Sequence, residues 1–90
     1  MVAKEAVVTN SLGIHARPAA LLVKLAANFD AEIFLSKGNT RRVNGKSIMG
    51  VMMLAAEQGA KILVEAEGTD EAKAATEIAQ IIADDFEDIT

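Results

Sequence analysis

Residues 61–86 read KILVEAEGTDEAKAATEIAQIIADDF, and this stretch decides the class of fold. Its first seven residues alternate in character, with Ile62, Val64 and Ala66 on one side and mostly charged residues on the other. Strict alternation over a short segment predicts a half-buried β-strand. The strand is followed at once by a helical pattern, so strands and helices are expected to share one small core.

The second part of the stretch predicts a helix that starts near Thr69 or Asp70. Acidic residues at that point are favourable against the positive end of the helix dipole. Apolar residues then recur every three or four positions, which predicts one face turned towards the core. The residues of this predicted stripe are Ala72, Ala75, Ala79, Ile82 and Phe86.

Upstream, the sequence predicts a β-α-β-β-α order before the last strand and helix. Gly38-Asn39 is a two-residue hairpin signal between two of the strands. The complete order, β-α-β-β-α-β-α, predicts an α+β fold in which helices cover one face of an antiparallel sheet. We expect one domain over residues 1–90. The predicted elements are strands at 3–9, 31–36 and 40–43, a helix at 16–28 and a short helix at about 47–54.

Composition narrows the classes of function. Apolar residues make up 51% of the 90 residues, yet the only aromatic residues are three Phe, and a chain of this length has no room for a large cofactor cavity. A net charge of −4 argues against general nucleic-acid binding, although four of the nine basic residues fall between Lys37 and Lys46. No cysteine and one histidine exclude thiolate and multi-histidine metal sites. Without a signal peptide or an apolar run of ~20 residues, a soluble cytoplasmic protein is expected.

The only histidine lies in GIHARPAA, residues 13–20, where a glycine-containing loop meets a predicted helix. A helix N-terminus presents unpaired N–H groups and a positive dipole end, which attract anions. Arg17 adds a guanidinium whose geometry suits phosphate oxygens. Pro18 is tolerated in the first helical turn, where its missing N–H costs nothing. Phosphoryl transfer to His15 is therefore one interpretation; a helix cap or a solvated histidine without chemistry is the other.

Two motifs carry a resemblance to a known family. The run LGIHARPA at residues 12–19 is similar to the active-centre motif of the histidine-containing phosphocarrier (HPr) family of the phosphoenolpyruvate-dependent sugar phosphotransferase system. The run KSIMGVM at residues 46–52 resembles the regulatory-serine motif of the same family, at the usual separation. The resemblance implies an open-faced β-sandwich of four antiparallel strands with three helices on one face.

The same resemblance implies a role for each residue of the first motif. His15 would accept a phosphoryl group on Nδ1 from phosphorylated Enzyme I and pass it to an EIIA-type domain. Arg17 would stabilise the group in transit, Pro18 would fix the first helical turn, and the N–H groups of Ala16 and Arg17 would donate to phosphate oxygens. No cofactor or metal is implied. The protein would be a relay substrate of its partners, without turnover of its own.

Ser47 matches the serine that an HPr kinase/phosphorylase modifies in some family members. It is also a good helix N-cap, and one serine can do both. A phosphate there would add about two negative charges beside the partner surface and discourage docking. A purely regulatory protein, whose Ser47 phosphorylation controls docking to a transcriptional regulator or an enzyme, is thus a second hypothesis. A small acyl-phosphate enzyme is a third, ranked last because no second acid or base lies near His15 in sequence.

A docking surface is predicted around the short second helix. Spacing alone would place its apolar residues in the core, but the resemblance favours partner contact for three of them, whereas Val51 and Leu54 are expected to point inward. Methionine suits a surface that accepts several unlike partners. The predicted partner-binding residues are Ile48, Met49 and Met52, with Leu21 extending the patch and Lys24 and Lys46 adding rim charges. The expected state is a monomer.

Leu12 departs from the sugar-branch pattern. Members of that branch commonly carry a small polar residue at this position. A leucine here instead resembles the pattern of the nitrogen-branch paralogue, NPr. The segment at residues 28–32 is also NPr-like, while SIMG at residues 47–50 is typical of the serine-regulated members. The carrier chemistry is the same in either branch, and these residues do not decide between the sugar and the nitrogen pathway.

Overall fold

The computed structural model describes residues 1–84 and residue 86 of the chain. The predicted domain extends to Thr90, and Asp85 and residues 87–90 lie outside the described residues. The order of elements is β-α-β-β-α-β-α, as predicted. The elements are β1 (Val2–Val7), α1 (Ala16–Ala26), β2 (Glu32–Lys37), β3 (Thr40–Asn44), α2 (Ile48–Met52), β4 (Lys61–Glu67) and α3 (Glu71–Ala83).

The strands form one antiparallel sheet in the order β1-β4-β2-β3, which confirms the predicted class. The alternation that predicted β4 is reproduced, because Ile62, Val64 and Ala66 are all fully buried. Lys37 pairs with Thr40 across the turn at Gly38-Asn39, so the hairpin is also confirmed. β4 lies between β1 and β2 and is an interior strand of the sheet.

The core lies between one face of the sheet and the three helices, and α3 corrects one prediction. Ala72 was predicted to face the core, but its side chain is exposed. Alanines occur around the whole helix and give little contrast between its faces, whereas the large Ile78, Ile81 and Ile82 are buried and fix its orientation. The buried residues of α3 are Ala74, Ala75, Ile78, Ile81 and Ile82.

Helices α1 and α2 run in opposite directions along each other. The segment just before α1 contacts the segment after α2, because the Ile14 N–H donates to the Ala56 carbonyl over 2.8 Å. At the other end, Lys46 Nζ donates to the carbonyl of Phe29, which follows α1, over 2.7 Å. The start of α1 therefore lies beside the end of α2.

The start of α3 is tied to the loop that enters β2. The Asp70 carboxylate accepts hydrogen bonds from the backbone N–H groups of Asp30 at 2.9 Å and Ala31 at 2.8 Å. These bonds, the one from Asp30 above all, lower the pKa of Asp70 from its ordinary value of 3.8. None of the described helices has the length and apolar character needed to cross a membrane.

Candidate functional site

His15 is delivered to the start of α1 by a tight turn. The Gly13 N–H donates to the carbonyl oxygen of Asn10 over 2.9 Å, and the Leu12 N–H donates to Asn10 Oδ1 over 3.1 Å. Gly13 adopts φ +71°, a conformation that glycine reaches without a steric penalty. The loop signals in the sequence thus become a turn that reverses the chain just before His15.

The segment leading into His15 rests on the loop after α2. Ile14 is buried, and its N–H bond to Ala56 anchors the backbone one residue before the histidine. A Cβ on Gly13 would lie 2.2 Å from the Ala56 carbonyl oxygen, so only glycine fits there. This contact joins residues more than 40 positions apart, and no sequence signal announced it.

His15 is the N-cap residue of α1, with φ −96° and ψ −166°. Its side chain is exposed and makes no capping hydrogen bond, which leaves the ring available to a reactant. In the described part of the chain, the N–H groups of Ala16 and Arg17 donate to no acceptor. The structure therefore places an exposed imidazole beside two free N–H groups at a helix start, where an anion could bind.

A shallow depression of about 280 Å³ opens beside the imidazole. Arg17 and Pro18 line it, so the structure brings together the residues of the first motif. Two further residues, Asn10 and Phe86, also line it and were not predicted as site residues. Phe86 was expected only in the core; it is buried and closes the depression from beyond the end of α3. The complete lining is Asn10, Leu12, His15, Arg17, Pro18, Leu21 and Phe86.

Helix α2 presents apolar side chains to solvent. Ile48 and Met52 are each 44% exposed and Met49 is 75% exposed, so these three are accessible, as a docking surface requires. Met53, at 67% exposed, belongs to the same surface and was not predicted. The inward orientation predicted for Val51 and Leu54 is confirmed, since both are buried.

The other predicted partner-binding residues lie at different distances from His15. Leu21 is half-buried and lines the depression, and Lys24 is exposed on α1. Lys46 lies beside Phe29, at the far end of α1. The 11 residues of α1 span about 16 Å, so Lys46 lies near the end of this helix that is remote from His15.

Ser47 is the N-cap of α2, as predicted. Its Oγ accepts a hydrogen bond from the Gly50 N–H over 3.1 Å, and the residue is half-buried. Leu12, the residue that departs from the sugar-branch pattern, is 76% exposed at the edge of the depression.

Two of the four basic residues between positions 37 and 46 are paired with carboxylates. Arg42 pairs with Glu65 at 3.0 Å and lies 4.2 Å from the ring centroid of Phe34. Lys37 lies 3.4 Å from a Glu57 oxygen, and Lys46 is bonded to the backbone. Within residues 1–84 and 86, no group of three or more acidic or histidine side chains could hold a metal ion.

Comparison with known proteins identifies the family to which the chain is similar. The model of the family described as PTS HPr component phosphorylation site matches residues 2–84. The phosphocarrier protein HPr of Treponema pallidum is 47% identical over 88 residues, which are 98% of this chain and 99% of that protein.

Solved structures agree with the sequence relatives. An HPr from Thermoanaerobacter tengcongensis superposes with a TM-score of 0.88 at 41% identity, over 96% of both chains. A second structure from that organism, described as an HPr dimer, superposes with a TM-score of 0.73 at 43% identity, over 88% of this chain and 90% of that one.

Proposed function

The chain belongs to the HPr family of phosphocarrier proteins of the phosphotransferase system, and on that premise we propose that His15 is the residue that carries the phosphoryl group. Phosphorylated Enzyme I would be the donor and an EIIA-type domain the acceptor. The observation that carries the proposal is the exposed His15 ring beside two free N–H groups at the start of α1. The relay would operate in the cytoplasm.

The proposed step is an exchange of one nitrogen–phosphorus bond for another. The lone pair of the neutral His15 Nδ1 attacks the phosphorus of the donor phosphohistidine. The bond from phosphorus to the donor imidazole breaks, and its electron pair stays on the donor ring, which carries a proton on its other nitrogen and so leaves as a neutral imidazole. His15 keeps its Nε2 proton and becomes the phosphorylated, protonated ring. The reverse step, with this chain as donor, transfers the group to the acceptor domain. Neither step needs a group beyond the two imidazoles and charge stabilisation, which suits a relay without its own turnover.

Phosphate oxygens would be held by the start of α1. The N–H groups of Ala16 and Arg17 are free to donate, and the Arg17 guanidinium lines the same depression. Pro18 has no N–H to leave unpaired in the first turn and restricts the backbone there. These three residues form the proposed phosphate-binding set with His15 as acceptor.

Partner proteins would dock on the exposed side chains of α1 and α2. Apolar contact would come from Ile48, Met49 and Met52, whose exposure supports this role. Leu21 would extend the contact towards His15, and Lys24 and Lys46 would attract acidic partners. The set proposed for partner binding therefore keeps all six residues of the sequence prediction and adds the exposed Met53.

Ser47 is proposed as a regulatory phosphorylation site for a kinase/phosphorylase. Its position at the start of α2 supports this, since a phosphate there would place negative charge beside Ile48 and Met49. The phosphorylated form would dock poorly to Enzyme I and would be free to bind a transcriptional regulator.

The carrier is proposed to act as a monomer, because each copy holds a complete site. One of the structural relatives is described as a dimer. Sedimentation at micromolar concentration tests the state directly: one species of 9.5 kDa is expected, and a stable dimer would refute it.

The central experiment is labelling from phosphoenolpyruvate and Enzyme I. We expect one acid-labile phosphoryl group on wild type and none on His15→Ala. Equal labelling of both proteins, or no labelling of wild type by the sugar-branch or the nitrogen-branch Enzyme I, would refute the proposal. Arg17→Ala should melt as wild type does and label more slowly by at least about 10-fold, since one charge-assisted contact is lost. A large fall in its melting temperature would instead assign Arg17 a structural role.

Leu12 supports the nitrogen branch as the second candidate. An exposed leucine at the edge of the acceptor depression offers a partner apolar contact where the sugar-branch pattern has a polar residue. Comparing labelling rates with the two kinds of Enzyme I, for wild type and Leu12→Ser, decides between the branches. The nitrogen-branch proposal requires that wild type favours the nitrogen-branch donor and that the substitution reduces this preference.

A further inference from the structure

The turn after α2, residues 54–57, contacts the backbone just before His15 and fixes its position. Its Ala56 carbonyl oxygen accepts the Ile14 N–H at 2.8 Å and also faces Gly13, where a Cβ would lie 2.2 Å away. A movement of Ala56 would therefore be transmitted directly to the two residues before His15. The position of the acceptor ring depends on what holds this turn.

The turn contains a residue in an unfavourable backbone conformation. Ala55 adopts φ +48°, in the left-handed region that residues with a side chain rarely occupy. Such a conformation persists only where surrounding contacts support it. The turn follows the short five-residue α2, whose last N–H bonds reach only as far as Ala55.

Lys37 supplies the support from the sheet. It is the last residue of β2, and its Nζ donates to the Ala55 carbonyl oxygen over 2.9 Å. The same ammonium lies 3.4 Å from Glu57 Oε2, so one side chain holds the turn on both sides of Ala56. The Lys37 side chain is 24% exposed, which limits competition from solvent.

We propose that Lys37 is a positioning residue for phosphoryl transfer at His15. It fixes Ala55 and Glu57, these hold the Ala56 carbonyl, and that carbonyl holds Ile14. The inference rests on the proposed function, since it assigns Lys37 a part in the same reaction. Because transfer rates fall steeply when reacting groups are misplaced by about 1 Å, a loosened turn would slow the step without removing any group that touches phosphate.

A positioning role and a purely stabilising role predict different results. The Glu57 end of the ion pair with Lys37 is 71% exposed, and pairs open to solvent on one side contribute little to global stability. Its loss should therefore leave the melting temperature almost unchanged. A slower maximal rate in a fully folded variant would then report on geometry.

The test uses the full chain and saturating phosphorylated Enzyme I, with Lys37→Met, Lys37→Arg and the exposed-lysine control Lys61→Met. For Lys37→Met we expect a maximal His15 labelling rate lower by about 5- to 10-fold with KM within about 2-fold of wild type. Amide resonances of Ile14 and His15 should shift. Lys37→Arg keeps the charge and the donor and should restore most of the rate. Lys61→Met should match wild type.

Two outcomes overturn the inference alone. One is a wild-type maximal rate in Lys37→Met while wild type itself is labelled. The other is a rate loss explained by a higher KM or by an equal loss of folded protein. If wild type is not labelled at all, the proposed function fails together with this inference. A docking variant such as Met49→Ala should raise KM and leave the maximal rate nearly unchanged. This result would distinguish loss of partner contact from loss of positioning.

Discussion

Gly13 and Ala56 approach each other more closely than two residues with side chains can. A Cβ built on Gly13 would lie 2.2 Å from the Ala56 carbonyl oxygen and 3.0 Å from the Cα of Glu57. Both neighbours are backbone atoms, so neither can rotate away. His15 is therefore placed by a contact between two loops and by the helix that follows it.

Gly13→Ala should destabilise the fold by about 3 kcal/mol or more, because the clash adds to the cost of φ +71° in a residue with a Cβ. Gly38→Ala is the matched control: it also has a positive φ, +54°, but nothing lies within 4 Å of its Cβ position. It should cost about 1–2 kcal/mol. Urea unfolding measures both, and equal losses would show that the contact with Ala56 is unimportant.

Ala55→Gly should stabilise the protein by about 1 kcal/mol, since glycine adopts φ +48° without the penalty that alanine bears. The control is Ala27→Gly, at an exposed position with φ −64°. There the same substitution should destabilise, because glycine loses more backbone entropy on folding. Thermal unfolding of the two variants checks the opposite signs, and a destabilised Ala55→Gly would contradict the strain assigned to this turn.

Asp70 should make stability depend on pH in the acid range. Hydrogen bonds, from the Asp30 N–H above all, hold its pKa below 3.8 in the folded chain. A carboxyl group with a lowered folded pKa stabilises the fold above its unfolded pKa and loses that contribution as pH falls through the folded value. Asp70→Asn should therefore be less stable than wild type at neutral pH, and the difference should shrink below about pH 4. Urea midpoints at several pH values measure this; a constant difference would contradict it.

Ser47→Ala and Ser47→Asp should separate the two roles of Ser47. The alanine variant loses the bond from Gly50 and should be less stable by about 1 kcal/mol. The aspartate variant keeps an acceptor oxygen for the cap and should remain stable, while its added charge slows His15 labelling by Enzyme I. An unchanged labelling rate in Ser47→Asp would remove the proposed switch and leave the cap as the only role.

The sequence by itself determined the elements and the location of the candidate site. Alternation in β4 and the N-cap at Ser47 are local patterns, and each appears in the structure where it was predicted. The placement of His15 at the start of α1 is local as well, because Gly13 and Pro18 punctuate the chain on either side. Two motifs were enough to indicate the family. Period and capping depend on residues within a few positions of one another, which is why they can be predicted from the sequence.

Only the tertiary structure decided what surrounds His15. It placed Phe86 in the depression, set Ala56 beneath Gly13 and brought Lys37 to the turn after α2. It also turned Ala72 outward, since the buried isoleucines of α3 and not its many alanines fixed that helix against the sheet. These contacts join segments far apart in the chain, and their geometry follows from how the sheet and helices fill one core together. The local sequence places His15 at the start of a helix, whereas packing between distant segments fixes the position of its side chain and its neighbours.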